Sequence, residues 1–167
     1  MAGNGDERAD VDHRMNIAQS RFSGMWNIWS DHRLLTQAKV NLYAQAVGST
    51  FTHGSEAWTL NQPVMRSVNG FNSRCLHHIT GRSYRDEATT PRFNLPLTIR
   101  RRRMRWLGHI LRMPDSRLVR RAVVGLAANG PPYPPGSLLM DCNGPLHTLI
   151  ATAADRVAWN STVENLS

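Results

Sequence analysis

The densest chemistry in the sequence is guanidinium. Arg100-Arg101-Arg102-Arg103-Met104-Arg105-Trp106 is followed by Arg112, Arg117, Arg120 and Arg121. A guanidinium is permanently charged and planar, so it grips a phosphate with two parallel N–H donors and stacks on a base. Several in one stretch neutralise several phosphates together, which makes binding steeply salt-dependent. On a helix Arg101, Arg105, Arg112 and Arg120 fall near one face, and Leu107 and Ile110 point into a core. Trp106 either joins that core or stands outside it as an apolar platform. The candidate nucleic-acid-binding residues are therefore Arg100, Arg101, Arg102, Arg103, Arg105, Trp106, Arg112, Arg120 and Arg121. The competing reading is a solvated helix face whose arginines reflect the base composition of the gene. Twelve arginines in the forty residues 82–121 favour phosphate.

Other reactive groups do not assemble into a site. His77-His78 beside Cys75 lacks a fourth ligand at metal-binding spacing, since Cys142 lies 67 positions away. A core cysteine with two surface histidines is the expected arrangement. Asp10 and Asp12 do not share a helix face, and acids at a helix start are what its dipole favours, so Asp10 is read as a cap. Tyr84-Arg85-Asp86-Glu87 echoes the Tyr-x-Asp-Asp turn in which polymerases hold metal ions, but Gly81-Arg82-Ser83 and Ala88-Thr89-Thr90-Pro91 flank it where apolar strands are needed. Pro114-Asp115 has no downstream lysine to complete a nuclease motif, because Lys39 is the only lysine. No nucleophile elbow is present. The sequence thus yields no catalytic constellation, no metal site and no cofactor.

Charge divides the 167 residues sharply. Residues 1–31 carry −2, 32–81 carry +3, 82–121 carry +9 and 122–167 carry −2. The net +8 calls for an anionic partner such as nucleic acid or an acidic membrane surface. No apolar run approaches the roughly 18 residues of a membrane span. Met1 to Asp12 is polar and acidic rather than a basic stretch leading into an apolar one, so no secretory signal is read there. An intracellular chain, cytoplasmic or nuclear, is expected, and Asn160-Ser161-Thr162 is accordingly discounted as a glycosylation site.

The elements that must carry these groups read as helices. Val11, Met15, Ala18, Phe22, Met25 or Trp26, and Trp29 recur at steps of three and four. A second helix is predicted from about Thr36 to His53 before Gly54, and a third from Asn61-Gln62-Pro63 to Gly81. Arginine-rich helices follow at about 97–112 and 116–128, and a sixth at about 145–160. No period-two alternation extends beyond a few residues. The predicted class is mainly α: a bundle of about three helices (1–81), a basic helical segment (82–128), and a proline-rich, partly flexible tail (129–167) joined by Gly130-Pro131-Pro132-Tyr133-Pro134-Pro135-Gly136.

One resemblance runs through these blocks. Arg103-Met104-Arg105-Trp106-Leu107-Gly108-His109-Ile110-Leu111-Arg112-Met113 resembles the R-R-x-R-W-L-G-H-x-x-R-M stretch near the C-terminal end of reverse transcriptases of non-LTR (LINE-like) retrotransposons. Upstream, Thr52-His53-Gly54-Ser55-Glu56-Ala57-Trp58-Thr59-Leu60 is similar to that family's Y-G-S-E-x-W-T-L, with His53 where Tyr is usual. Phe71-Asn72-Ser73-Arg74-Cys75-Leu76, with Ile79 and Gly81, resembles its F-x-x-R-x-L-R-x-I-x-G helix, and Ile28-Trp29 and Lys39-Val40-Asn41-Leu42-Tyr43 continue the likeness. Residues 5–121 are covered; 122–167 depart from it.

The resemblance implies the thumb and the region after it, which grip a template–primer duplex or the element RNA. The palm with its metal-binding carboxylates lies upstream of this region in that family. A sequence-tolerant partner, RNA or an RNA–DNA hybrid, is expected, without polymerisation by this chain alone. Two alternatives stand beside it. One is a retroelement remnant without activity, with Trp26, Trp29 and Trp58 exposed as orphaned contacts. The other is a non-catalytic component completed by a separately encoded palm.

Overall fold

The computed structural model describes residues 4–81, 93–128, 137–139, 141–142 and 145–166. Tyr84-Arg85-Asp86-Glu87 and the proline-rich stretch 130–136 lie outside them. The described residues are mainly helical and contain no strand. The chain forms two compact units, one from residues 1–54 and 62–96, the other from residues 55–61 and 97–167.

The first unit holds α1 (Asn4–Gly24), α2 (Trp26–Ser30), α3 (Thr36–Leu42), a π-helical stretch (Tyr43–Gly48), α4 (Ser49–Thr52) and α5 (Gln62–Thr80). Val11, Ala18 and Phe22 of α1 and Trp29 of α2 are buried, as the three-and-four spacing requires. Asp10 does not cap α1. The helix begins six residues earlier, and Asp10 pairs with Arg14 one turn on, at 3.2 Å. Val40, Tyr43, Val47 and Phe51 are buried, as are Val64, Val68, Phe71 and Cys75 of α5, and the Phe51 and Phe71 rings stack at 5.6 Å between centroids. Each large apolar side chain so buried stabilises the fold by roughly 1.5–3 kcal/mol. Polar groups inside are paired: Tyr43 Oη donates to Asn72 Oδ1 (3.1 Å), and Asn72 Nδ2 donates to the Phe93 carbonyl (2.9 Å). Gly54 (φ 75°) and Gly81 (φ 65°) hold the left-handed conformation that ends the helices before them.

The second unit holds a single 3₁₀ turn (Ser55–Ala57), nearly all of α6 (Leu95–Leu111), α7 (Leu118–Ala127), α8 (Leu146–Ala154) and α9 (Arg156–Glu164). The C-terminal part of the expected tail packs into this unit. Leu139, Cys142, Leu149, Ala153, Trp159 and Val163 share one core with Met104, Leu107, Ile110, Leu111, Val123 and Ala127. Trp159 Nε1 donates to the Met104 carbonyl at 2.9 Å, and its indole lies against Gly108, where a Cβ would come within 2.6 Å of the ring. The expected helix at 145–160 is two helices, divided at Asp155, whose carboxylate caps α9 by accepting from the Val157 and Ala158 amides. The unit boundaries therefore differ from the three expected segments: 55–61 leaves the bundle, and the C-terminal helices join the arginine-rich one.

Candidate nucleic-acid interface

Helix α6 sets where its arginines go, because consecutive residues are turned by about 100° around a helix of 3.6 residues per turn. Ile99, Arg103, Met104, Leu107, Ile110 and Leu111 form the buried side. Arg102, Arg105, Trp106 and His109, spaced three, four and seven apart, form a stripe on the other. Arg105 and His109 on that stripe are exposed, Trp106 is 36% exposed and Arg102 is half-buried. Of the three residues read as core-facing candidates, Leu107 and Ile110 are inside and Trp106 is not.

The basic cluster separates into two sets by what each guanidinium already holds. Arg103 is 1% exposed and donates to the carbonyls of Trp58 and Ser137. It cannot touch a phosphate and is removed from the candidate set. Arg100 Nε lies 2.8 Å from Asp141, a carboxylate whose side chain is 4% exposed, so this pair is largely internal. Arg112 donates to the Ala153 carbonyl at the end of α8 (2.9 Å). Arg120 donates to the Leu111 carbonyl and lies 2.7 Å from Asp115. These four tie helices and loops of the second unit together, and moving any of them to a ligand leaves a buried acceptor without its donor.

The second set pairs with Glu164 and Glu56. Arg105 contacts Glu164 at 2.5 Å, with both side chains more than half exposed. Arg101 reaches the same residue, 2.7 Å from its backbone oxygen and 3.7 Å from its carboxylate. Arg102 lies 3.4 Å from Glu56. An exposed pair such as Arg105–Glu164 contributes about 0–1 kcal/mol and exchanges readily for a phosphate. Arg117 and Arg121 are exposed and have no side-chain partner among the described residues. Arg117, which stands in the basic run but outside the nine candidates, and His109 are additions. Both follow from exposure, which the linear run does not reveal.

The second unit contains ten Arg against Glu56, Asp115, Asp141, Asp155 and Glu164, a net +5. No group of three His, Cys, Asp or Glu placed to hold a metal occurs among the described residues. Cys75 and Cys142 are both buried, and burial pushes the thiols up to about 11 and about 12 respectively. No helix of the described residues is long and apolar enough to cross a membrane. Trp29 and Trp58, expected to be exposed in a non-folding remnant, are each 3% exposed, whereas Trp26 is 51% exposed.

Comparison with family models, with curated proteins and with solved structures finds no match to this chain.

Proposed function

We propose that the chain binds nucleic acid without sequence preference, as a fragment resembling the thumb and C-terminal region of a non-LTR retrotransposon reverse transcriptase. The observation that carries this reading is the solvent-facing stripe Arg102–Arg105–Trp106–His109 on α6, with Arg117 and Arg121 exposed in the same unit. Cations beside an exposed indole are the chemistry of sequence-tolerant binding, in which guanidinium meets phosphate and an aromatic face meets a base. An RNA strand or an RNA–DNA hybrid is the proposed ligand.

The family resemblance adds a second line of support. Ser55-Glu56-Ala57-Trp58-Thr59-Leu60 of the G-S-E-x-W-T-L-like block and the R-W-L-G-H-like block lie in one unit, where Arg103 bonds to Trp58 and Arg102 approaches Glu56. The chain is assigned no polymerase activity of its own, because in that family the reacting carboxylates belong to the palm.

Fluorescence anisotropy of a labelled RNA–DNA hybrid across a series of salt concentrations tests this reading. Each phosphate neutralised contributes about 0.9 to the slope of log affinity against log salt. Engagement of the exposed set gives a slope of about three or more. A slope below about two contradicts it.

A further inference from the structure

The first unit contains a cavity of about 340 Å³ whose lining includes Trp29, His32, Thr36, Lys39 and His78. Lys39 is the chain's single lysine and is 7% exposed. An ammonium carries three donors. The one bond made by Lys39 Nζ among the described residues is to the Trp29 carbonyl, at 2.7 Å. A desolvated ammonium is costly unless its remaining donors find acceptors, and the cavity is the space beside it.

The lining contains no carboxylate. The nearest in sequence, Asp31, is taken by Arg33, which contacts it through Nε at 3.0 Å and Nη2 at 2.9 Å. That bond is the main reason the Asp31 carboxyl lies below its ordinary range, and the positive charges of Lys39 and His32 lower it further. His32 and His78 are exposed lining residues, and His78 is braced by the Trp26 ring at 4.2 Å between centroids. A buried cation, two imidazoles and a threonine hydroxyl around one space form a donor set for a tetrahedral oxyanion. The volume lies at the lower end of the ~300–1,000 Å³ of small-molecule sites, larger than a bare phosphate needs.

We propose that this cavity is a phosphate-monoester site, with Lys39 as its buried cation and His32 and His78 as flanking donors. The ligand is a small phosphorylated molecule such as a nucleoside monophosphate, or the 5′-terminal phosphate of a nucleic-acid strand. The site lies in the first unit and stands independently of the arginine-rich interface in the second. Lys39 also caps the last turn of α2 through Trp29, so loss of the ammonium affects stability as well as binding, and the test must read binding directly.

The test is a titration of the full chain, observed by backbone amide chemical shifts, with adenosine 5′-monophosphate, with adenosine, and with one short oligonucleotide carrying a 5′-phosphate or a 5′-hydroxyl. The site predicts saturable shifts at residues 29–39 and 77–81 with a phosphorylated probe and none with its unphosphorylated counterpart. A response to the monophosphate alone assigns the site to small molecules, and a response to the phosphorylated strand alone assigns it to strand ends. His32→Gln, at an exposed position, weakens binding several-fold. Lys39→Met weakens it about tenfold or more, as loss of a charged hydrogen bond requires. Should Lys39→Met fail to fold, His32→Gln decides. Unsaturable shifts, equal responses to adenosine and its monophosphate, unchanged affinity in His32→Gln, or shifts confined to α6 and α7 overturn the proposal.

Discussion

The Arg103 guanidinium donates to the Trp58 carbonyl from inside the second unit, forty-five residues away in sequence. The same group donates to the Ser137 carbonyl at 2.5 Å. One buried cation therefore fixes the turn after Gly54 and the segment before α8 onto α6. Replacing it by Met keeps the aliphatic stem but leaves two carbonyls without their donor, each worth about 1–3 kcal/mol when buried. Arg103→Met is expected to destabilise the second unit by about 2–5 kcal/mol in denaturant titrations. Arg105→Gln, which removes only an exposed pair with Glu164, is expected to change stability by less than about 1 kcal/mol.

Gly108 and Trp159 are expected to be energetically coupled. A Cβ at position 108 meets the indole that bonds to the Met104 carbonyl. Gly108→Ala is expected to cost about 1–3 kcal/mol through overpacking. In the Trp159→Ala background, where the ring is gone, the same change costs nearly nothing or stabilises, since alanine favours a helix interior. A double-mutant cycle by denaturation measures the coupling, and additive costs contradict the contact.

The two thiols give a pH dependence with a definite sign. Burial raises Cys75 from 9.0 to about 11, opposed in part by its hydrogen bond with Tyr43. Cys142 rises from 9.0 to about 12, through burial and then the Asp141 charge, with Arg103 opposing. A raised acid favours the protonated folded form. Its contribution is complete below the unfolded value near 9 and declines as pH rises through the folded values. Denaturant midpoints should hold between pH 7 and 8 and fall above about pH 9. A thiol reagent at pH 8 should label neither cysteine until denaturant is added. Rapid labelling of the native chain contradicts the burial.

The helices of the first unit were legible because their apolar spacing and their stops are local. Val40, Tyr43, Val47 and Phe51 mark one face of the 36–52 stretch, and Gly54 and Gly81 mark ends by a conformation other residues avoid. The π-helical stretch at Tyr43–Gly48 was not legible, because one extra residue in a turn leaves the apolar pattern nearly intact. Asp10 misled for a related reason: an acid four residues before an arginine supports a helix interior as well as an acid at its start. The break at Asp155 carried a signal, a capping residue before an apolar run, that the length of the expected helix concealed.

The interface was legible in composition and not in geometry. Four consecutive arginines point around the whole helix, so some must face inward once α6 is buried on one side. Which one does so depends on Trp58 and Ser137, far away in sequence. Arg100, Arg112 and Arg120 are similarly claimed by Asp141, Ala153 and Leu111, contacts that no local pattern announces.

The central claim is that the exposed cations of the second unit, and not the whole arginine run, meet phosphate. Its most direct test compares the salt dependence of hybrid binding for the parent chain and for a variant carrying Arg105→Gln, Arg117→Gln and Arg121→Gln, all at exposed positions. At about 0.9 per phosphate contact, the slope of log affinity against log salt should fall by about two to three while the fold is kept. An unchanged slope in a folded variant contradicts the claim.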